Sequence, residues 1–126
     1  MPSSAPVVPI PLPPVDPVPA TVLIVDDEAL NRDLLGRRLT QQGFRVVVAS
    51  SGPEALAALE AQSCDIVLLD VMMPGMSGLD VLTAIRRSTA WRELPVIMVT
   101  AKSESRDVVE ALDLGADDYV TKPLDV

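Results

Sequence analysis

The sequence has no histidine, a single cysteine and very few aromatic residues. Without histidine, the chain can build neither a Ser-His-Asp triad nor a histidine-ligated metal site. The lone Cys64 has no partner for an internal disulfide and stands beside an apolar run, which favours a buried thiol in a reducing compartment. Trp, Tyr and Phe occur once each although hydrophobic residues make up 48% of the chain. The core is therefore predicted to be aliphatic.

Basic residues are also scarce, with 10 Lys and Arg against 18 Asp and Glu and a net charge of −8. A nucleic-acid-binding surface normally carries a basic face, so direct nucleic-acid contact is not expected. No apolar run is long enough to span a membrane, and the chain has no basic start typical of a signal peptide. We expect one domain without a membrane contact, located in the cytoplasm.

Proline is concentrated at the start of the chain. Residues 1–20 hold eight of the twelve prolines and one charge, Asp16. Because proline lacks a backbone donor and biases its neighbour away from helix, this segment is predicted to be an extended, disordered arm. The folded domain is expected in residues 21–126.

Three short runs are apolar without alternation: residues 22–25, 66–69 and 96–99. A strand that is apolar on both faces must be covered on both faces, which is typical of the inner strands of a parallel sheet. The more mixed residues 45–49 and 119–121 fit the two edge strands.

Helical patterns alternate with these runs. The first predicted helix, residues 28–42, places four leucines on one stripe and ends before Gly43. The second begins at Ser51, which has the spacing of a capping box with Glu54. Five strands in alternation with four helices predict a doubly wound α/β fold with a parallel sheet. The leucines are Leu30, Leu34, Leu35 and Leu39, and the other helices are predicted from residue 51 and over residues 78–87 and 105–114.

Polar side chains follow four of the strands. Asp26 and Asp27 follow the first strand, and the third, fourth and fifth strands end at Asp70, Thr100 and Lys122. Carboxyl ends of parallel strands share one edge of the sheet, where ligands bind. Three carboxylates and one lysine leave a charge of −2, which a hard divalent cation such as Mg²⁺ would offset. A carboxylate beside Mg²⁺ and lysine can attack phosphorus and form an aspartyl phosphate.

Four segments together resemble the receiver domains of bacterial two-component systems, over about residues 21–123. The resemblance implies a flavodoxin-like sheet with strand order 2-1-3-4-5. The segments are Val-Asp-Asp-Glu at 25–28, Leu-Asp-Val-Met-Met-Pro-Gly-Met-Ser-Gly at 69–78, Val-Thr-Ala at 99–101 and Gly-Ala-Asp-Asp-Tyr-Val-Thr-Lys-Pro at 115–123.

The resemblance also implies a role for each matching residue. Asp70 would be the phosphoacceptor, and Lys122 would contact the phosphoryl group. Asp26, Asp27, Asp70 and the backbone carbonyl of Met72 would bind Mg²⁺, with Asp26 acting mostly through water. Thr100 would move to bond a phosphoryl oxygen while Tyr119 swings inward.

The family takes its phosphoryl group from a phosphohistidine, which this chain cannot provide. A histidine kinase or phosphotransfer protein is therefore the expected donor, with acetyl phosphate as a small-molecule substitute. The partner on the output side would be an output domain or effector protein. The expected activity is that of a switch rather than of a turnover enzyme.

The sequence leaves two alternative functions open. A dehalogenase-like phosphatase would use an Asp-x-Asp pair, whereas Asp26 and Asp27 are adjacent, and no nucleotide-binding glycine motif is present. A phosphorylation-independent docking module is the second alternative.

The chain departs from the family pattern at its end. Family members continue after the Lys-Pro pair with a fifth helix, whereas only residues 124–126 follow Pro123 here. We expect the fifth helix to be missing and an apolar face of the sheet to be left open. Such a face predicts association, for instance as a homodimer, or cover by the proline-rich arm. The resemblance further implies a cis peptide bond between Lys122 and Pro123.

Overall fold

The computed structural model describes residues 18–101 and 105–122, and the side chains of residues 105–107 are outside this description. Within these residues, five strands alternate with four helices, as predicted. The elements are β1 (Thr21–Val25), α1 (Ala29–Gln41), β2 (Arg45–Ala49), α2 (Gly52–Ala61), β3 (Ile66–Asp70), α3 (Gly78–Arg87), β4 (Val96–Ala101), α4 (Ser105–Asp113) and β5 (Asp118–Lys122).

The five strands form one parallel sheet in the order β2-β1-β3-β4-β5. The doubly wound fold and the strand order are therefore confirmed. The continuous apolar runs lie in β1, β3 and β4, the inner strands, and the mixed runs lie in β2 and β5 at the edges. This agrees with the rule that only strands covered on both faces can be apolar throughout.

The helices are distributed unequally over the two faces of the sheet. Leu23 and Val25 of β1 belong to the larger core cluster, which α2, α3 and α4 cover with residues such as Leu59, Ile85 and Ala111. The alternate residues Val22 and Ile24 point to the other face and pack with Leu35 of α1. We call this second surface the α1 face, because α1 is the helix that covers it in the described residues.

The leucine stripe of α1 is only partly buried. Leu35 is buried and Leu39 is partly buried, whereas Leu30 and Leu34 are 65% and 57% exposed. Only the Leu35 and Leu39 part of the predicted stripe therefore packs on the sheet. The reason is that α1 packs on β1 and β2, so that the far side of its stripe overhangs the middle of the sheet.

The capping box predicted for α2 is only half formed. The Ser51 hydroxyl accepts a hydrogen bond from the Glu54 amide at 3.3 Å, but the Glu54 carboxylate accepts from the Ser50 hydroxyl at 2.6 Å instead of from the Ser51 amide. A complete capping box begins α3, where Ser77 and Asp80 exchange bonds of 3.0 and 3.2 Å. Both arrangements satisfy amides that have no partner within the helix.

Other predictions for individual segments have mixed outcomes. Cys64 is half-buried rather than buried, and burial followed by the Asp65 charge raises the pKa of its thiol. The proposed cis bond before Pro123, the missing fifth helix and the arm as far as residue 17 lie outside the described residues. Within the described part, none of the helices combines the length and hydropathy that crossing a bilayer requires.

Arg86 joins α3 to the loops that precede β4 and β5. Its guanidinium donates to the carbonyl oxygens of Gly115 at 2.7 Å and Leu94 at 2.6 Å, and it pairs with the Asp117 carboxylate at 2.9 Å. Asp117 in turn accepts from the Val96 amide at 2.8 Å. Because the Arg86 side chain is only 17% exposed, solvent does not easily replace these bonds.

We expect Arg86→Ala to lower the free energy of unfolding by about 2 kcal/mol, because Asp117 and the carbonyl groups of Gly115, Arg92 and Leu94 lose a charged donor. Urea-induced unfolding measures the change. Arg87→Ala is the matched control: Arg87 is exposed on the same helix turn, and its loss should change stability by no more than about 0.5 kcal/mol. Equal losses in the two variants would contradict the assigned role.

Candidate functional site

Three aspartates meet at the carboxyl edge of the sheet. Asp26 follows β1 and Asp70 ends β3, and both are nearly inaccessible, at 5% and 4% exposure. Asp27 is exposed beside them. One carboxylate oxygen from each of the three lies within 4.8 Å of the other two. The strand pairing explains the arrangement, since Val25 of β1 is in register with Leu69 of β3.

Lys122, the last residue of β5, reaches into this cluster from the far side of β4. Its ammonium nitrogen is 3.2 Å from the Asp26 carboxylate and 3.3 Å from the Asp70 carboxylate. Lys122 and Asp70 point to the same face because Lys122 is in register with Ala101 and Asp70 with Val99, two residues apart on β4. The described geometry thus brings the four predicted charged residues together.

Burial and charge change the acidity of two of these groups. Burial, followed by the nearby Asp26 charge, raises the pKa of Asp70 from 3.8 to about 6, although Lys122 and the Met72 amide oppose the change. Burial alone would lower the pKa of Lys122, but Asp70 and Asp26 raise it above its ordinary value. Burial of Asp70 therefore raises its pKa more than repulsion from Asp26 does.

Residues at and just before the start of α1, to which the sequence alone gave no role, hold Asp26. The Glu28 amide donates to its carboxylate at 2.9 Å, and the Asn31 amide group approaches the other oxygen at 3.4 Å. The Arg32 guanidinium donates to the Asp26 carbonyl at 2.7 Å. The only sequence signal for these residues is their place in the first helical turn after an acidic pair.

The loop after β3 is fixed close to Asp70. The Met72 amide donates to the Asp70 carboxylate at 3.3 Å, and the Gly78 amide donates to the Val71 carbonyl at 2.9 Å. The Met72 side chain itself is exposed. The first residue of α3 therefore lies directly against the end of the strand that carries Asp70.

Thr100 and Tyr119 lie on the opposite face of the neighbouring strands. Thr100 is buried near the end of β4 and donates to the Ala101 carbonyl at 3.3 Å. It pairs in register with Thr121 of β5, two residues beyond Tyr119. Tyr119 is 41% exposed. The two residues share a face, as moving partners would have to, but their predicted movement stays a prediction.

The cluster has the chemistry of a site for a small hard cation and an anionic group. Three carboxylates offer only oxygen ligands, which Mg²⁺ prefers over nitrogen or sulfur. Lys122 provides a cation that is already in contact with the buried Asp70. A carboxylate in these surroundings can be stabilised in a charged or a covalently modified form.

Comparisons with known proteins agree with this arrangement. The family described as "Response regulator receiver domain" matches residues 22–126. The sensory transduction protein RegX3 of Mycolicibacterium smegmatis is 52% identical over 103 residues, covering 82% of this chain and 44% of the relative. The transcriptional regulatory protein AfsQ1 of Streptomyces coelicolor is 46% identical over 107 residues, which cover 85% of this chain and 46% of the relative. The chain spans a little under half the length of these curated relatives.

Solved structures give the same result for the fold. The chemotaxis protein CheY4 of Vibrio cholerae superposes with a TM-score of 0.81 at 30% identity, covering 86% of this chain and 90% of that chain. A response regulator receiver protein from Pseudomonas putida has a TM-score of 0.80 at 33% identity, and the match covers 86% of this chain and 89% of that chain. The chain belongs to the response regulator receiver domain family of two-component signalling proteins.

Proposed function

We propose that the chain is a phosphoacceptor switch in which Asp70 receives a phosphoryl group from a histidine kinase or a phosphotransfer protein. The observation that carries the proposal is the contact between the buried Asp70 carboxylate and Lys122, inside a cluster of three aspartates. Phosphoryl transfer depends mainly on position and charge stabilisation, and these residues supply both.

The proposed step is a displacement at phosphorus. An oxygen of the Asp70 carboxylate forms a bond to phosphorus while the bond from phosphorus to the donor's imidazole nitrogen breaks, and that nitrogen keeps the electron pair. With a pKa of about 6, Asp70 is mostly ionised at neutral pH and can act as the nucleophile. Lys122 would bind a phosphoryl oxygen, because its ammonium group already lies 3.3 Å from the carboxylate.

The same cluster is proposed to hold Mg²⁺ through Asp26, Asp27, Asp70 and the Met72 carbonyl. The close carboxylate oxygens and the absence of soft ligands among these groups fit a hard cation. When bound, Mg²⁺ would offset the negative charge that the carboxylates and the phosphoryl group share. Asn31 and Arg32 would keep Asp26 and its carbonyl in place.

Transmission of the signal is proposed to use Thr100 and Tyr119, which share the face of the sheet opposite Asp70. With beryllofluoride as a phosphoryl mimic, amide resonances around residues 100–105 and 119 should shift, because Thr100 would turn towards the mimic. Asp113→Asn, an exposed change at the end of α4, is a control that should leave this response intact. Unchanged resonances in the first segment would argue against a conformational switch.

The wider context is also a proposal. We assign residues 1–20 to an arm and residues 21–126 to the receiver domain, which would control an output domain or effector protein and could form a homodimer. We also propose a cytoplasmic location, because the free Cys64 is compatible with a reducing compartment.

Incubation of the chain with acetyl phosphate and Mg²⁺ tests the proposal. Phosphate-affinity electrophoresis should show one phosphoryl group per chain, and a chelator should suppress it because the anionic donor then meets an uncompensated acidic cluster. Continuous turnover of the donor at a high rate would favour a phosphatase. No incorporation under any of these conditions would favour the docking module.

A further inference from the structure

A side chain of α1 holds the backbone between the two adjacent aspartates. The Arg32 guanidinium donates to the Asp26 carbonyl oxygen at 2.7 Å. That oxygen belongs to the peptide unit that joins Asp26 to Asp27, and among the described residues no other group donates to it. Because a peptide unit is planar, a bond to its oxygen restricts the orientation of the whole unit. The Arg32 bond therefore also restricts the backbone from which the Asp27 side chain projects.

The Asp27 carboxylate differs from the other two carboxylates of the cluster in how it is held. Lys122 lies 3.2 Å from the Asp26 carboxylate and 3.3 Å from that of Asp70. Asp27 is exposed, and in the part of the chain that the structure describes its carboxylate has neither a hydrogen bond nor an ion pair. Its place within 4.8 Å of the other two carboxylate oxygens therefore depends on its backbone.

Two further hydrogen bonds hold the chain on either side of this peptide unit. The Asp26 amide donates to the Ala49 carbonyl at 3.1 Å, which ties the end of β1 to β2. The Glu28 amide donates to the Asp26 carboxylate at 2.9 Å, which holds the chain just after Asp27. Without the Arg32 bond, the peptide unit between these two points could turn and carry the Asp27 carboxylate away from the cluster.

Arg32 is well placed to hold this peptide unit. Its backbone amide donates to the Glu28 carbonyl at 3.1 Å in the first turn of α1, so its own position is set by the helix. The side chain is half-buried. A hydrogen bond from an ionised donor is about twice as strong as one between neutral groups. The short bond to the Asp26 carbonyl is therefore one that water does not easily replace.

We propose that Arg32 is a positioning residue for the Mg²⁺ site, and that it acts through the peptide unit between Asp26 and Asp27 by directing the Asp27 carboxylate towards Asp70. This inference rests on the proposed function. Loss of a group that orients a metal ligand commonly weakens metal binding by about 10-fold or more. The charge of Arg32 has the opposite effect, because removing a cation beside an acidic cluster strengthens the attraction for Mg²⁺. The sign of the change thus separates positioning from electrostatics.

Binding of Mg²⁺ to the full chain tests the proposal without phosphorylation. Amide resonances are recorded as MgCl₂ is added, and the same spectra show that each variant is folded. Arg32→Met keeps an apolar stem without a donor and should raise the dissociation constant for Mg²⁺ about 10-fold. Arg37→Met is the matched control, because Arg37 is an exposed arginine of the same helix that pairs with Asp33. It should bind Mg²⁺ within about twofold of the wild-type chain, since its charge is screened by solvent.

A double-mutant cycle with Asp27→Asn tests the route of action. Asp27→Asn should itself weaken Mg²⁺ binding. Adding Arg32→Met to it should cause almost no further loss, because the ligand that Arg32 orients has already been removed.

Three results would overturn the proposal while leaving the metal site in place. They are binding by Arg32→Met that is tighter than wild type, binding that equals that of Arg37→Met, and a full loss that recurs in the Asp27→Asn background. A wild-type chain that binds no Mg²⁺ would instead overturn the proposed metal site together with this inference.

Discussion

In a chelating buffer at pH 8, the Asp70→Asn variant should be more stable than the wild-type chain by about 3 kcal/mol, while it takes up no phosphoryl group at all. The folded chain raises the pKa of Asp70 from 3.8 to about 6, so its ionisation costs more in the folded state than in the unfolded state. The amide has the same shape and can accept the Met72 hydrogen bond, but it carries no charge to be buried.

The pH dependence identifies the cause of this stabilisation. Well below pH 3.8, Asp70 is protonated in both states, so wild type and variant should have nearly the same stability. The difference should develop as the pH rises from about 4 to 6 and stay constant above that. Urea-induced unfolding at a series of pH values gives the free energies.

Two comparisons separate burial of the charge from a general effect. Asp113→Asn removes an exposed charge at the end of α4 and should change stability by roughly 0.5 kcal/mol. Added Mg²⁺ should stabilise the wild-type chain more than the Asp70→Asn variant, because a ligand of the folded state shifts unfolding by mass action. A variant that is less stable than wild type at pH 8, or equally changed at pH 4, would contradict the buried-charge explanation.

The strands could be predicted because the composition of each strand reflects how far its two faces are buried. Residues 22–25, 66–69 and 96–99 are apolar on every position, and only burial on both faces of a parallel sheet accommodates such runs. The edge positions of β2 and β5 followed from their mixed composition. Strand order came from the family resemblance, since hydrophobic patterns do not specify which strands are neighbours.

The charged cluster was predictable for a topological reason. Once β1, β3 and β5 are parallel, Asp26, Asp70 and Lys122 must lie at one edge of the sheet, and the structure brings them into contact. The strand alternation also places them on one face. What each residue does in phosphoryl transfer remains a proposal, because geometry alone does not identify a nucleophile.

Contacts that depend on distant backbone groups could not be predicted. The Arg86 guanidinium binds carbonyl groups, which every residue has, and its ion-pair partner Asp117 is 31 residues away. The sequence also could not show which of two neighbouring donors an acidic side chain would bind. Ser51 and Ser77 are both followed by an acidic residue three positions later, but the Glu54 carboxylate bonds to Ser50 instead.

Gly78→Ala should lower the free energy of unfolding by about 3 kcal/mol and weaken phosphorylation of the chain that remains folded. An ideal Cβ at Gly78 would overlap the Asp70 carbonyl oxygen and lie 2.9 Å from the Val71 Cα. These atoms belong to the backbone at the end of β3 and just after it, so no side chain can rotate away, and α3 or the end of β3 must move. Either movement displaces the Asp70 carboxylate relative to Lys122.

The same chemical change at Gly36 should have the opposite sign. Gly36 lies inside α1, and its added Cβ would approach only the Val46 and Ile24 side chains, at 3.6 and 4.0 Å, which are ordinary contacts. Because alanine is more favourable than glycine in a helix interior by about 1 kcal/mol, Gly36→Ala should stabilise the chain. Urea-induced unfolding and the initial rate of labelling with acetyl phosphate are measured for both variants. If Gly78→Ala matched wild type in stability and rate, the close packing of α3 against Asp70 would have no part in holding the acceptor in place.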